Sequence, residues 1–382
     1  MSAGPRVLVV HNRYRIEGGE ERSVDLQLRA MEAAGIEHSS YERRSADAGR
    51  LQAARAMVRG GEDPQALADA VRATGADVVH AHNTVPLIGP AGLAAAREAG
   101  AAIVLHLHNV RIFCATGFGE RDGGPCRRCR GRNTLPGLVL NCRRSVPEAI
   151  TYAVALNRHQ PLLLDAVDRF VAPSAAARDE LAARGLPAER VDVLRHYLPA
   201  DSFAERSRAA DGRYALVASR LSPEKGIVDA VVACAAAGVP LRVAGEGPER
   251  ERLESAARES GADVTFLGRL PAAEVRRELA GAAMVLMPSR YHEFSPFSAL
   301  EAMAQGVPIV ATAMGGLPEL LGEGRCVRPG VPGLFAARVA ELWANTQLRE
   351  QEGANALSRA LDRHARNRYV EDLRALYRRV AG

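Results

Sequence analysis

Lysine is nearly absent from this 382-residue chain. Of its 50 basic residues only Lys225 is a lysine, which leaves 50 − 1 = 49 arginines. Such a bias is typical of a high-GC coding sequence and indicates no function by itself. A lysine that is kept against this bias marks a position where a requirement for an ammonium group can be tested. No apolar run reaches the ~18 residues of a membrane-spanning helix, which excludes the membrane-spanning class.

Other absences narrow the class further. The chain has no Gly-x-x-x-x-Gly-Lys-Ser/Thr loop, which argues against a P-loop nucleotidase, and no Asp-x-Asp motif for metal-assisted diphosphate binding. Residues 1–5 lead directly into an apolar strand without the pattern of a signal peptide, so we expect a cytoplasmic location. In that compartment the six cysteines are better explained as thiols or metal ligands than as disulfides.

What is present is typical of a folded α/β protein. Hydrophobic residues make up 47% of the chain and charged residues 25%, with a net charge of +5. Strand-like apolar runs alternate with helical stretches, which favours parallel sheets covered on both faces. The rhythm restarts after a polar stretch at 201–213. We therefore predict two Rossmann-like doubly wound domains facing across a cleft, at residues 1–204 and 205–362.

The last segment, 363–382, is predicted to continue a basic amphipathic helix that starts near Leu361. Its apolar face suits packing back on the N-terminal domain. Contact with a membrane surface is the alternative interpretation.

The richest loop follows the predicted strand that ends at Met287. Glu293 and Glu301 lie eight residues apart, one in the loop and one inside the next helix. The amides of Phe297 and Ser298 stand at the helix N-terminus, which is a natural anion site. Two carboxylates that bracket an anion suit a sugar linked to a nucleoside diphosphate. The alternative is a surface helix with a solvated Glu301.

A second loop, at 219–226, carries Arg220 and Lys225. Both cations would reach the same edge of a parallel sheet, where ligands bind. A lysine early in a helix has the wrong sign for the helix dipole, so a bound anion would account for it. The alternative is two solvated charges.

Glycines mark two further turns between a strand and a helix. Gly18 and Gly19 follow the first strand, and Gly245 and Gly247 form half of a dinucleotide fingerprint without its third glycine. Glycine permits close approach of the backbone to a ligand, but each signal is weak alone.

Together these segments carry a resemblance. The chain resembles the family 4 glycosyltransferases, which have the two-domain GT-B fold and retain anomeric configuration. The resemblance runs from Val7 to about Leu321 and rests on the motifs Gly18-Gly19, Asp77-Val-Val-His-Ala-His82, His106-Leu-His108-Asn109, Ala172-Pro-Ser174, Arg220-x4-Lys225-Gly226, Gly245-Glu-Gly-Pro248 and Glu293-x7-Glu301-Ala-Met-Ala.

The resemblance implies a role for each matching residue. Arg220 and Lys225 would hold the diphosphate, Glu301 the ribose hydroxyls and Glu293 the hydroxyls of the donor sugar, while His108 would lie beside the reacting sugar. The remaining donor contacts would be the amides of Gly19, Phe297 and Ser298, the Gly18 turn, and a base site near Gly245, Gly247 and Leu270. No catalytic metal is expected. Pro296 stands where many relatives have glycine and has no N–H to donate.

A cysteine-bearing insertion occupies residues 110–146. Cys114, Cys126, Cys129 and Cys142 include a Cys-x-x-Cys pair, which suits a tetrahedral structural zinc. Four unligated thiols in a loop ordered by packing are the alternative. An iron–sulfur cluster would have no redox task here. Because the insertion follows His108, we expect it to shape the acceptor pocket.

Other functions remain open at this stage. A zinc-containing nucleic-acid-binding protein is favoured by the arginines of the insertion and opposed by the 4% aromatic content. A GT-B nucleotide-sugar epimerase or phosphorylase is the nearest enzymatic alternative, and an inactive GT-B scaffold would not need Arg220, Lys225, Glu293 and Glu301. The sequence therefore predicts a retaining transferase with a nucleoside-diphosphate sugar donor, an unidentified hydroxyl acceptor and no nucleic-acid partner.

Overall fold

A computed structural model describes residues 4–15 and 18–382. The described chain divides into two compact units. The first comprises the described residues up to 119 together with 126–196 and 367–382, and the second comprises 120–125 and 197–366. The domain limits at 204 and 362 stay predictions.

The strands form two parallel sheets and one small hairpin. They are β1 Val7–Arg13, β2 His38–Arg44, β3 Val78–Ala81, β4 Ala102–His106, β5 Glu120–Arg121, β6 Gly124–Pro125, β7 Arg169–Ala172, β8 Val191–Val193, β9 Tyr214–Ala218, β10 Leu241–Ala244, β11 Val264–Gly268, β12 Ala282–Met287 and β13 Ile309–Ala311. The first sheet has the order β2-β1-β3-β4-β7-β8 and the second β11-β10-β9-β12-β13, while β5 and β6 pair antiparallel. The alternation of strands and helices predicted from the sequence is confirmed in both units.

The helices cover the sheets. They are α1 Gly19–Ala33, α2 Arg50–Arg59, α3 Pro64–Thr74, α4 Gly89–Glu98, α5 Leu135–Val139, α6 Val146–Ala166, α7 Ala175–Ala182, α8 Ile227–Ala237, α9 Arg250–Ser260, α10 Ala272–Ala280, α11 Phe297–Ala304, α12 Leu317–Leu321, α13 Pro332–Ala344, α14 Thr346–Arg363 and α15 Arg366–Ala381. Short 3-10 turns lie at Ala188–Arg190, Ala200–Ser202, Ala209–Asp211 and Pro223–Lys225.

The central strands are apolar because both faces of each sheet are covered. The first six residues of β1 are buried, and so are all residues of β3 and β12. In the first sheet Val7 pairs with both His38 and Val78, which places β1 between two neighbours. The core of the second unit packs residues of β9, β10 and β12 against α8 and α13.

The C-terminal segment differs from the single tail helix expected from the sequence. Helix α14 ends at Arg363, and a new helix, α15, begins at Arg366. In the first unit Tyr369 and Tyr377 of α15 contact Gln27 of α1 through hydrogen bonds of 3.1 and 3.0 Å. The apolar face of α15 is buried there, so contact with a membrane stays a prediction that would depend on its exposed arginines. Within the described residues, no helix combines the length and the apolar character needed to cross a bilayer.

Candidate functional site

The loops that follow the strands of the second sheet bring the predicted residues of that unit to one edge. Arg220 and Lys225 follow β9, Gly245 follows β10, Leu270 follows β11 and Glu293 follows β12. Backbone bonds tie these loops together: the amide of Leu221 donates to the carbonyl of Glu246 at 2.9 Å, and the amide of Gly245 to that of Gly268 at 2.7 Å. Ligands of parallel sheets bind at this edge.

Lys225 and Glu293 form an ion pair at the centre of this edge. The Lys225 Nζ lies 2.7 Å from Glu293 Oε1 and 3.0 Å from the hydroxyl of Tyr291, which itself donates to Glu293 Oε2 at 2.7 Å. The side chains of Lys225 and Glu293 are 17% and 4% exposed. Burial works against the charged lysine, but Glu293 and Tyr291 more than offset it and raise the Lys225 pKa above its usual value. The ammonium group therefore stays charged at physiological pH.

The carboxylate of Glu293 is held in one orientation by its own loop. Ser289 Oγ donates to Glu293 Oε1 at 2.7 Å, and the amide of Gly316 donates to the Glu293 carbonyl at 2.6 Å. A Cβ on Gly315 would lie 2.2 Å from that carbonyl oxygen. The sequence motif contained Glu293, but Tyr291 and Ser289 were not predicted. Their hydroxyls in the same loop, two and four residues before the glutamate, were the available signal.

Arg220 lies at the rim of the same edge and is half exposed. Its guanidinium donates to Glu224 Oε1 at 2.7 Å, and Ser222 Oγ donates to the same oxygen at 2.6 Å. Glu224 therefore fixes the direction of the half-exposed Arg220 guanidinium, which suits an arginine that binds an anion.

Helix α11 starts at the same edge. It begins at Phe297 after Pro296 and has no side-chain cap, as expected for a helix start that offers its amides to an anion. Ser298 lines a recess of about 280 Å³, open to solvent, together with Lys225 and Glu293. The Phe297 side chain is buried, and Glu301 is partly exposed in the body of the helix.

Gly245 and Gly247 are required by packing inside the protein. A Cβ on Gly245, where φ is +148°, would lie 1.8 Å from the carbonyl oxygen of Ser219, and one on Gly247 would lie 2.2 Å from that of Leu221. These contacts account for both glycines without a dinucleotide. Their contact with a base stays a prediction.

In the first unit the Gly18 turn is held by Glu21. The amides of Tyr14 and Gly18 donate to the two carboxylate oxygens of Glu21 at 2.9 and 2.8 Å. Burial alone would raise the pKa of Glu21, but the His11 ring, 3.7 Å away, and the hydrogen bonds from these amides lower it to about 2. The amide of Gly18 is thus already used, and Gly19 is the first residue of α1. Ile16 and Glu17 lie outside the described residues.

His108 belongs to a stack of histidines at the carboxyl edge of the first sheet. Its Nε2 lies 2.9 Å from Nδ1 of His82, and its ring stacks on His106 with centroids 4.3 Å apart. Burial first, and then the nearby rings His196, His11 and His80, lower the His108 pKa well below its usual value. His108 is therefore a neutral imidazole. The stack was not predicted, although a His-x-His pair ends each of two adjacent strands, β3 and β4.

Comparisons with known proteins agree with this arrangement. A family model described as "Glycosyl transferases group 1" matches residues 200–359, and one described as "Glycosyl transferase 4-like domain" matches 17–196. The chain belongs to the group 1, or family 4, glycosyltransferases. Each model covers one of the two sheet-bearing parts of the chain, so the two models together match this family 4 glycosyltransferase along most of its length.

Its curated relatives align over part of their sequences. Glycogen synthase of Mycobacterium tuberculosis is 32% identical over 184 residues, which are 44% of this chain and 44% of that protein. A GDP-mannose-dependent alpha-mannosyltransferase of the same species is 31% identical over 263 residues, 66% of this chain and 59% of that protein. The chain thus spans about half the length of the curated relatives that it matches.

Solved structures share the GT-B fold with this family 4 glycosyltransferase. Anabaena HepE, crystallised with UDP and glucose, has a TM-score of 0.67 at 18% identity over 98% of this chain and 100% of that one. Sucrose-phosphate synthase from Thermosynechococcus elongatus has a TM-score of 0.72 at 17% identity over 98% of each chain. The predicted fold class is confirmed.

The insertion of this glycosyltransferase has little regular structure beyond the β5–β6 hairpin and α5, and it is anchored from α7. Arg184, which is 1% exposed, donates to the carbonyl of Cys126 at 2.7 Å and pairs with Glu180 at 2.7 Å. Burial and then its neighbours Cys114, Cys142 and Cys126 raise the pKa of Cys129 to about 11, although the amide of Gly137 lowers it. The four thiols are thus near one another, but no three of their sulfur atoms lie within 4.8 Å of one another. Among the described residues, the ring nitrogens of His80, His82 and His106 do meet that separation.

Those three buried histidines could bind a metal ion after rearrangement. Zinc at ~2.0–2.1 Å from each nitrogen needs nitrogens about 3.4 Å apart. The rings of His80 and His82 are stacked with planes 6° apart, and those of His82 and His106 with planes 28° apart. The lone pair of an imidazole nitrogen lies in the plane of its ring, so the lone pairs of stacked rings are nearly parallel and do not converge on one point. One ring must therefore rotate before the histidines can share an ion.

Proposed function

We propose that this chain is a retaining glycosyltransferase that moves a sugar from a nucleoside-diphosphate sugar to a hydroxyl acceptor. The observation that carries this proposal is the Lys225–Glu293 pair, buried at the carboxyl edge of the second sheet, with Arg220 in the same loop as Lys225. The chain's one lysine would meet the diphosphate there, and the fixed carboxylate would meet sugar hydroxyls.

The proposed donor contacts follow from position and charge. Arg220 and Lys225 supply the cations, and the amides of Phe297 and Ser298 add helix N–H groups of the right sign. Glu293 accepts hydrogen bonds from the sugar and Glu301 from the ribose. The remaining proposed contacts are the Gly18-Gly19 turn and, at the base, Gly245, Gly247 and Leu270.

The chemistry requires charge stabilisation more than a nucleophile. As the bond between the sugar and the diphosphate breaks, positive charge grows on the sugar ring and negative charge on the leaving oxygen. Arg220 and Lys225 would oppose that negative charge. The acceptor oxygen bonds to the anomeric carbon on the same face, and its proton passes to a diphosphate oxygen. The neutral ring of His108 would lie beside the reacting sugar without adding a charge.

Donor binding tests the proposal. A thermal-shift screen would compare UDP-, GDP- and ADP-sugars, because UDP is bound in the HepE structure and a mannosyltransferase relative depends on GDP-mannose. We expect one nucleotide class to raise the melting temperature and to be hydrolysed slowly without acceptor. The absence of any shift at millimolar concentrations would contradict the proposal.

We also propose that Cys114, Cys126, Cys129 and Cys142 hold a structural zinc. Four thiols near one another suit a cation, since zinc binding removes their protons and relieves the repulsion between thiolates. Arg184 already holds the backbone at Cys126, so closure of the site needs movement of side chains and short loops. Metal analysis should find about one zinc per chain in the wild type and none in the Cys126→Ser, Cys129→Ser variant. Equal metal content in both would contradict this assignment.

A further inference from the structure

The first unit contains a cavity that the donor contacts do not use. It opens to solvent, and its empty space, including that open part, amounts to about 780 Å³. Its walls come from α2, α4, α6 and the segment after β4. Met57, Ile112 and Leu156 line it as apolar side chains that are only partly buried by the protein itself.

One end of the cavity is polar. Tyr14, Glu20 and Arg111 lie there, with the Arg111 guanidinium 5.0 Å from the centre of the Tyr14 ring. The hydroxyl of Tyr14 and Nε of Arg111 are buried and make no hydrogen bond of ordinary geometry. Buried polar atoms are normally paired, so these two groups suit a hydroxyl-bearing ligand. Asn109 Nδ2 lies 3.4 Å from Glu20 Oε2, which is a long contact for a hydrogen bond.

Glu20 can both donate and accept near neutral pH. Burial raises its pKa to about 7, against the opposing effects of Arg111, His11 and Tyr14. The protonated and the ionised carboxyl group can therefore both be present near neutral pH, and either form can bond a hydroxyl.

His108 connects this cavity to the proposed reaction. It lines the cavity near Asn109, and it is the histidine that would lie beside the donor sugar. A ligand of this cavity would therefore contact a residue that the proposed reaction uses, with its hydroxyl at the polar end and its body among the apolar walls.

Resting on the proposed function, we propose that this cavity binds the acceptor and that the acceptor is a compact molecule with an apolar body and a hydroxyl group. The body contacts Met57, Ile112 and Leu156, and the hydroxyl bonds to Glu20 and Arg111. A free saccharide fits less well, because its hydroxyls need partners on every side and these walls offer few.

The apolar body is either a rigid ring system or an alkyl chain, and two probes distinguish them. Binding of 2-naphthol (ring) and of 1-octanol (chain), each with a single hydroxyl, to the full-length protein would be measured by calorimetry without donor. We expect at least one to bind with a dissociation constant below 1 mM. Failure of both to bind at solubility-limited concentrations would overturn the proposal.

A cavity-filling variant locates the binding. Leu156→Trp should lower the affinity for the probe at least tenfold. Val154→Trp should leave the affinity unchanged, because Val154 lies on the same helix at an exposed position outside the cavity. Equal binding by Leu156→Trp and the wild type would overturn the proposal. Unchanged hydrogen exchange of β3 and β4 peptides in Leu156→Trp shows that its first unit is folded. Retention of the nucleotide-sugar thermal shift separates failure of this inference from failure of donor binding.

The polar end has its own test, which does not depend on filling the cavity. Naphthalene lacks only the hydroxyl of 2-naphthol. Glu20→Ala should lower the affinity for 2-naphthol about fivefold or more and leave the affinity for naphthalene unchanged. An equal loss for both probes, or no loss for either, would contradict the hydroxyl assignment.

Discussion

Lys225 combines a rare residue type with an uncommon environment. It is largely buried, and its charge is balanced by one carboxylate and one hydroxyl. A buried lysine without such partners would lose its proton. Here the neighbours keep the charge, and a diphosphate could take over the role of Glu293 as counter-ion. In this interpretation the pair holds the cation in position for the donor.

Removal of the ammonium group should abolish most donor chemistry. Lys225→Ala should lower donor turnover about 100-fold or more, the usual effect of losing one group that stabilises developing negative charge. Lys225→Arg should recover little, because a planar guanidinium does not replace a compact ammonium group in a buried site. Steady-state hydrolysis and transfer assays would measure both.

The matched control is Arg242→Ala, which also removes a cation of the second unit, one that pairs with Glu278 away from the recess. It should keep turnover close to that of the wild type. Near-normal turnover by Lys225→Ala would show that the donor assignment is wrong.

At the scale of elements, the turn into α8 links the lysine loop to the loop after β12. The sequence placed Lys225 early in a helix, whereas the structure has a 3-10 turn at Pro223–Lys225, Gly226 in the left-handed region at φ +63°, and then α8. A Cβ on Gly226 would lie 2.2 Å from the carbonyl oxygen of Pro288. Local periodicity cannot reveal this break, because its cause is a loop distant in sequence, the one that follows β12.

Comparison of the two glycines that flank α8, Gly226 and Gly238, measures the contribution of the contact with Pro288. Gly238, at the other end of α8, has φ +61° and open space around its missing Cβ. Gly238→Ala should cost about 1 kcal/mol of unfolding free energy from backbone strain alone. Gly226→Ala should cost clearly more and also weaken nucleotide-sugar binding. Equal losses in urea unfolding would show that the approach to Pro288 contributes nothing.

The insertion depends on a buried ion pair that has an exposed counterpart. Arg184 and Arg127 both pair with Glu180, but Arg184 is 1% exposed and Arg127 is 52% exposed. Arg184→Ala should destabilise the first unit by about 3–5 kcal/mol, because it leaves a buried carboxylate without that partner. Arg127→Ala should cost about 1 kcal/mol or less. Urea unfolding of both variants measures the difference, and similar values would contradict the argument.

On the scale of the whole molecule, the histidine stack makes the first unit sensitive to acid. Burial lowers the pKa of His80 to about 3, and His82, His106 and His108 are lowered well below their usual values. Below pH 6.5 the unfolded chain takes up protons on these residues and the folded chain does not. Stability should therefore fall with pH below 6.5, by about 1.4 kcal/mol at pH 5.5 for His80 alone.

Glu20 acts in the opposite direction over part of this range. Its raised pKa means that the folded state takes up its proton first, between about pH 7 and 4.5, which stabilises the fold as pH falls. Four histidines outweigh this one carboxyl group. Hydrogen exchange of β3 and β4 peptides at pH 7.5 and 5.5, with EDTA present, would measure the loss, and β9 peptides give the internal comparison. Unchanged exchange in β3 and β4, or a loss that His80→Gln does not reduce, would contradict this prediction.

Edge strand β2 is an element that the sequence pattern was insufficient to predict. The sequence of β2 is His-Ser-Ser-Tyr-Glu-Arg-Arg, and none of its residues is fully buried. Its strand conformation depends on pairing with β1, because it has no apolar run of its own. Tertiary hydrogen bonding here overrides weak local preference.

The sequence alone determined the α/β class and the two-sheet organisation, and it supplied the residues proposed to bind the donor, because periodicity and motif spacing are local properties of the chain. Tertiary structure alone decided which of those residues meet. Strand order and register place Lys225 against Glu293, align two His-x-His pairs into one stack, and bring Glu20, Arg111 and Leu156 around one cavity. The bias that leaves one lysine among 49 arginines is visible in the sequence. The burial and the partner that keep Lys225 charged are set by contacts 68 residues apart.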